Sequence, residues 1–395
     1  MNARRTLVVA VCLAAVGCDE RFADPIGGPP SSDDPCARWT SEAQCRADVS
    51  NACSVQPNPV GCRSDDPDCP ESACVTGDPF VRRNGAALTL RGRSYRFAGT
   101  NSWGVAFAPD GCKIDEAPDA ETAATRVFDD LAELGVGVLR VWAFQSYAGS
   151  SGTDYSAFER LVVHARRAGV RLVFVLENQW DDCTKGARND DWFRTGYTAS
   201  YNGYALSYVD YVEHLVEHFQ SEPTILAWEL MHEAGGDDFA ALNAFVQDMT
   251  TRIRVRDPNH LIAIGVNNGY SPSTSNEGTN SNYAALHAHS TVDLVDVHDF
   301  DTLDQPLTEG ERIDFGIASA LGKPAFVGAM AVLLEDESSA AFSQRANGIR
   351  AKLDSAYALG FAGALVYDYY PGWSTPSYSF DSRSSDPLGG PAGVV

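Results

Sequence analysis

From about Pro79 onward the chain repeats one unit, a short apolar run followed by a longer amphipathic one. Eight strand candidates recur in this way, at 95–103, 136–143, 171–178, 224–233, 261–266, 292–300, 324–331 and 363–369. The runs at 122–134, 155–168, 204–219 and 239–254 place apolar residues three and four apart, the period of a helix with one buried face. Gly135, Gly169 and Gly360 stand where such helices should stop. Strands alternating with helices imply an α/β fold, and eight units in about 315 residues fit a (β/α)8 TIM barrel spanning 79–395. A doubly wound open sheet is the rival. The absence of a glycine-rich phosphate loop after the first strand counts against it.

The first 78 residues have a different texture. Residues 1–17 read as an export signal, with Arg4 and Arg5 ahead of an apolar run and a small-residue cleavage site before Cys18. They resemble a bacterial lipoprotein signal, which implies lipidation at Cys18 and attachment to the cell envelope or cell surface. Ala15 stands where that pattern prefers Leu, so plain secretion is the alternative. Residues 18–35 are rich in Pro, Gly, Ser and Asp and read as a tether. Of ten cysteines, Cys36, Cys45, Cys53, Cys62, Cys69 and Cys74 crowd into 36–74, a module too poor in apolar residues to fold on a core. Disulfides must hold it, in any of fifteen pairings, and a protease-resistant spacer is the favoured role. Cys112 and Cys183 follow the first and third barrel strands. Their loops open on the same face, so a disulfide between them is expected, provided their Cα atoms lie within about 7 Å.

In a (β/α)8 barrel, chemistry collects where strands end and βα loops begin. The fourth strand runs Thr224-Ile-Leu-Ala-Trp-Glu-Leu-Met-His-Glu-Ala-Gly-Gly, placing Glu233 at the end of an apolar segment. A carboxyl there is costly to desolvate and so usually has a function. Strand two ends in Leu139-Arg-Val-Trp-Ala-Phe, strand three in Glu177-Asn-Gln-Trp, and strand six in Val297-His-Asp-Phe. Strand seven is Lys323-Pro-Ala-Phe-Val-Gly-Ala, and strand eight carries Leu365-Val-Tyr-Asp-Tyr.

Taken in order, these strand ends resemble glycoside hydrolase family five, a retaining family of clan A, and especially its endo-β-1,4-mannanases. The resemblance covers the barrel and not residues 1–78. It implies that Glu233 occupies the acid/base position, with His232 where the family has Asn. It makes Arg140 and His298 site residues, puts Phe300 where the family has Tyr, and Tyr367 where a Trp floors the sugar subsite. The family's strand-seven register puts the nucleophilic Glu at Ala329. Retaining hydrolysis needs two carboxyls about 5–5.5 Å apart, and a methyl group cannot attack a sugar. Without a neighbouring carboxylate Glu233 should be ionised at neutral pH, more so if His232 is protonated. A relocated carboxylate at Asp299, Asp301, Glu335, Asp336 or Asp368 is the alternative to loss of activity.

Trp103, Trp142, Trp180 and Trp228 fall at strand ends, with Trp192 and Trp373 in nearby loops. They divide between sugar platforms and packing, with Trp180 and Trp373 favoured as platforms. Trp103, Asn178, Trp228 and Tyr367 join Arg140 as expected substrate contacts. His214-Leu-Val-Glu-His218 matches a metallopeptidase pattern but sits on a helix that should face outward. His287-Ala-His289 is a lone histidine pair. No cofactor or metal is expected. The net charge of −23 and the lack of basic blocks argue against nucleic acid. The expected partner is a β-1,4-linked polysaccharide, β-mannan favoured, met by a monomer. A working glycosidase and a purely structural surface lipoprotein are the other readings.

Overall fold

The computed structural model describes the backbone of 53–57 and 72–76, and then residues 78–380 apart from 108–111, 116, 267–280, 301–305, 335, 337 and 372–377. The expected export signal, Cys18, the tether, the cysteine pairings of 36–74, and Trp373, Asp301 and Glu335 therefore lie outside the described side chains. Within 36–74, β1 (Cys53–Pro57) and β2 (Ser72–Thr76) form an antiparallel pair.

A three-stranded antiparallel ribbon follows, made of β3 (Val81–Asn84), β4 (Ala87–Leu90) and β5 (Arg93–Tyr95). Its turn at Arg91-Gly92 has positive φ at both residues, 52° and 76°, the twist that suits a two-residue hairpin. The ribbon buries Val81, Leu88, Leu90 and Tyr95 in one cluster with Phe97, Val138, Val173, Leu261, Phe326 and Leu365. Arg82 Nη1 donates to the Asn259 carbonyl at 2.7 Å, and Arg83 Nη1 to that of Val292 at 3.4 Å. Both carbonyls precede strands, so the ribbon plugs the end of the barrel where strands begin.

The barrel strands are β6 (Phe97–Ser102), β7 (Val138–Trp142), β8 (Arg171–Val175), β9 (Ile225–Glu229), β10 (Leu261–Ala263), β11 (Val295–Phe300), β12 (Ala325–Ala331) and β13 (Gly363–Val366). All pair in parallel, and β13 lies beside β6, so the sheet curls back on itself. Between β10 and β11 the seam is carried by the amides of Asp293 and Leu294, both donating to the Ile262 carbonyl at 2.8 and 3.1 Å. First and last strands are thus neighbours, which an open doubly wound sheet does not allow. The fold is a nearly closed (β/α)8 barrel.

The outer helices are α1 (Ala120–Leu134), α2 (Ser156–Ala168), the short α3 (Asp190–Arg194), α4 (Tyr208–Phe219), α5 (Phe239–Arg256), α6 (Ser281–His287), α7 (Glu309–Leu321) and α8 (Ser339–Leu359). Gly135, Gly169 and Gly360 end α1, α2 and α8 in the left-handed conformation expected of them. On α4, His214 and Glu217 are exposed and His218 bonds Glu159 of α2 at 2.9 Å, so the metallopeptidase pattern lies on the outer surface. His287 and His289 are engaged locally, by the Tyr283 carbonyl and by Asn243. No described helix is long and apolar enough to cross a membrane.

Candidate active site

Alternation along the strands decides which side chains enter the barrel. On β9 it turns Glu229 inward and Trp228 outward. Trp228 is fully buried, its indole nitrogen donating to Asp257 at 2.6 Å behind the strand. The expectation that Trp228 binds substrate is therefore corrected, because the residue beside an inward carboxyl must face the helices. Trp192 is likewise packed among Tyr197, Tyr208 and Phe245.

Glu229 meets Arg140 of β7 inside the barrel, and both are fully buried. Arg140 Nε donates to Glu229 Oε2 at 2.9 Å, and Nη2 donates to Oε1. Nη1 donates to Asn101 Oδ1 at 2.9 Å, and Asn101 Nδ2 to the Gly328 carbonyl at 3.1 Å. Leaving either partner of such a buried pair alone would be severely unfavourable. Arg140, expected to touch substrate, instead forms the sealed layer beneath the cleft. The sequence pointed to Glu229 only as a motif match. Its inward register opposite Arg140 was the signal for this role.

After β9 the chain turns sharply. The His232 amide donates to the Glu177 carbonyl at 2.7 Å, and the Ala234 amide to that of Gly265 at 3.0 Å. Held between those bonds, Glu233 has φ 59°, a left-handed conformation costly for a side-chain-bearing residue. The turn directs its carboxyl toward three donors. Trp180 Nε1 donates to Oε2 at 2.8 Å, His298 Nδ1 lies 2.9 Å from Oε1, and His232 Nε2 lies 3.9 Å from Oε2. Burial alone would raise the Glu233 pKa; His232, and then the bonds from His298 and Trp180, outweigh it and hold the carboxyl below its ordinary range.

His232 adds a constraint. Its Nδ1 lies 3.2 Å from Arg140 Nη2, and a guanidinium only donates, so Nδ1 accepts and the ring proton sits on Nε2. Burial pushes its pKa down to about 3, against the pull of Glu233 and with the repulsion of Arg140. His232 is therefore neutral at neutral pH, which corrects the notion of a protonated imidazole and removes it as an acid. At that pH the donors that keep Glu233 ionised are His298 and Trp180.

Across the barrel, β11 and β12 slip register: Val297 pairs with Val327, but His298 pairs with Ala329. Gly328 is the extra residue of a bulge, which turns Ala329 to the same side as His298. A Cβ on Gly328 would stand 3.4 Å from His298 Nε2, so the bulge lies against the imidazole. Tyr367 is half-buried and packs at a tilt near Phe300, ring centroids 5.9 Å apart. Burial, with Asp368 beside it, raises its pKa, so the phenol is neutral. Trp142 is buried against Phe144 and His232. Trp103 is half-buried against Tyr370. Asn178, 2% exposed, shapes the loop by donating to the Asp182 carbonyl at 2.7 Å.

Trp180, by contrast, is 42% exposed at the rim. Three residues on, Cys183 is bonded to Cys112, with Cα atoms 5.2 Å apart. Of the carboxyls offered as relocated nucleophiles, Asp299 is buried against Lys352 of α8. Asp336 accepts from the Ser338 amide at 2.7 Å. Asp368 is 1% exposed, accepts from the Ser379 hydroxyl at 2.6 Å, and is pushed by burial up to about 6.

Residues 99–353, from β6 through most of α8, match the cellulase model of glycosyl hydrolase family 5. The chain belongs to that family. It is 28% identical over 258 residues to putative mannan endo-1,4-beta-mannosidase 4 of Arabidopsis thaliana, covering 58% of this chain and 61% of the relative. It is 28% identical over 317 residues to mannan endo-1,4-beta-mannosidase 7 of Oryza sativa, covering 65% and 78%. The match thus spans about three fifths of the first of these relatives. Among solved structures, the endo-1,4-beta-mannanase from Rhizomucor miehei superposes with a TM-score of 0.61 at 19% identity, over 78% of this chain and 96% of that one. At that identity the likeness speaks to the fold.

Proposed function

We propose that this family 5 barrel recognises a β-1,4-linked polysaccharide, β-mannan favoured, and has lost ordinary retaining hydrolysis. The observation that carries the reading is the pairing of His298 with Ala329 on the side of the barrel facing Glu233. A retaining site needs a carboxylate where this methyl group stands. Glu233 supports the same reading, because an acid catalyst must be protonated and this carboxyl is held ionised. The exposed Trp180 beside it offers a flat apolar face to a sugar ring. Export, lipid attachment at Cys18 and a monomeric state belong to the same proposal, with 36–74 as a spacer between anchor and barrel.

Ala329→Glu beside the parent tests it. The parent is expected to bind β-mannan in affinity gels and to release no sugar from mannan, glucan or xylan. The variant restores the second carboxyl, and like-charge repulsion raises the Glu233 pKa toward the range of an acid. Mannan hydrolysis is then expected to stand at least about a hundredfold above the uncatalysed background that the parent shows. Release of sugar by the parent would overturn the reading in favour of a relocated carboxylate. Absence of glycan binding would leave a structural surface protein.

A further inference from the structure

His232 differs from an amide in what it shows the cleft. Its Nδ1 is consumed by Arg140, so only the Nε2 proton is offered. That donor makes no hydrogen bond among the described residues and lies 3.9 Å from Glu233 Oε2, beyond bonding distance. Both side chains keep a little exposure, 12% and 13%. A fixed donor and a fixed anionic acceptor therefore stand side by side, too far apart to bond each other and close enough for one oxygen at their side to bond both. A hydroxyl oxygen about 2.9 Å from the nitrogen and about 2.7 Å from the carboxylate closes that triangle. It accepts from His232 and donates to Glu233.

We propose that His232 Nε2 and the Glu233 carboxylate form a clasp that reads one free sugar hydroxyl, so the cleft takes unsubstituted neutral glycan and rejects the same glycan O-acylated. An ester oxygen has no proton to give, and placing it there leaves a buried carboxylate oxygen facing an acceptor. Hydrogen bonds to charged groups are stronger than neutral ones, and an ester both forfeits that bond and sets its own lone pairs against the carboxylate. The clasp asks Glu233 to accept, as its Oε2 already does from the Trp180 indole. The inference rests on glycan recognition as proposed above and adds which chemical form of glycan is held.

The test is titration calorimetry of the full chain at pH 7 with one β-1,4-mannan preparation, half fully deacetylated and half chemically O-acetylated. Binding to the deacetylated polymer is expected to be tighter by about tenfold or more. His232→Phe keeps the bulk of the ring and removes the donor, and is expected to weaken binding and erase most of that preference. His232→Asn restores a donor and is expected to recover part of it. Equal affinity of the parent for both polymers overturns the clasp while leaving glycan recognition standing. A preference that survives His232→Phe unchanged also overturns it, since steric exclusion of acyl groups then suffices. Failure of the parent to bind either polymer removes the broader proposal, and the clasp with it.

Discussion

One imidazole sets the acid stability of the cleft. His232 is held at a pKa of about 3 in the fold, against about 6.5 in an unfolded chain. Between those values the unfolded state binds a proton that the folded state refuses, so stability rises with pH across the window and falls on acidification. Glu233 acts in the same direction at lower pH. Its folded pKa is depressed, so its stabilisation is present above the unfolded carboxyl value and is lost as pH falls further. The expected outcome is a fall in unfolding free energy from pH 6.5 to 4.5 with a slope reaching about one proton from His232. His232→Asn has nothing to protonate and should flatten that part of the profile. Urea midpoints at pH 7, 6, 5 and 4.5 for the two proteins check this; parallel profiles would show that the imidazole titrates freely. The sequence offered His232 as a departure from the family's Asn. It held no sign that Arg140, ninety-two positions away, fixes the tautomer.

At the scale of elements, the site depends on two places where backbone comes unusually close. Gly265 has φ +81°, and a Cβ there would stand 1.7 Å from the Met231 carbonyl and 2.5 Å from Glu229 Oε1. Only glycine lets the loop after β10 pass over the end of β9, where it accepts the Ala234 amide just after Glu233. Gly265→Ala is expected to cost more than about 3 kcal/mol, whereas Gly85→Ala, with nothing within 4 Å, should cost only the strain of its left-handed φ, about 1 kcal/mol. Chemical denaturation of both variants checks the contrast; similar losses would mean that the strand end relaxes around an added methyl. The second close place is the bulge at Gly328. Strand existence and order were legible because buried parallel strands are continuous apolar runs, and the helix stops were legible because left-handed caps favour glycine. The ribbon at Val81–Tyr95 was not read, although Asn84-Gly85 and Arg91-Gly92 carry hairpin chemistry, because its strands are only three or four residues long. The bulge was equally silent: one extra residue leaves the hydrophobic pattern of β12 unchanged while turning Ala329 toward His298.

Across the whole molecule, one covalent link ties stability to the shape of the cleft. Cys112 and Cys183 are separated by 71 positions and join the loop after β6 to the loop after β8. Spacing and topology allowed the pairing to be expected from sequence, whereas the Arg140–Glu229 pair beneath it needed the inward register of two strands. In the chain-entropy view, a closed loop of this length removes enough freedom from the unfolded state to stabilise the fold by about 4 kcal/mol. The same link stands three residues from Trp180, which carries the donor to Glu233 Oε2. The Cys183 carbonyl also accepts the Ser146 hydroxyl at 2.7 Å, so the rim is braced toward the loop after β7 as well. Replacing both cysteines with Ser is expected to lower unfolding free energy by up to about 4 kcal/mol in guanidinium titrations. It should also weaken the proposed mannan binding several-fold at temperatures where the barrel stays folded, because Trp180 loses its fixed bearing on the carboxylate. A variant that loses stability yet binds with the parent's affinity would show that the bridge limits the unfolded chain and that Trp180 is positioned by Asn178 and Glu233 alone.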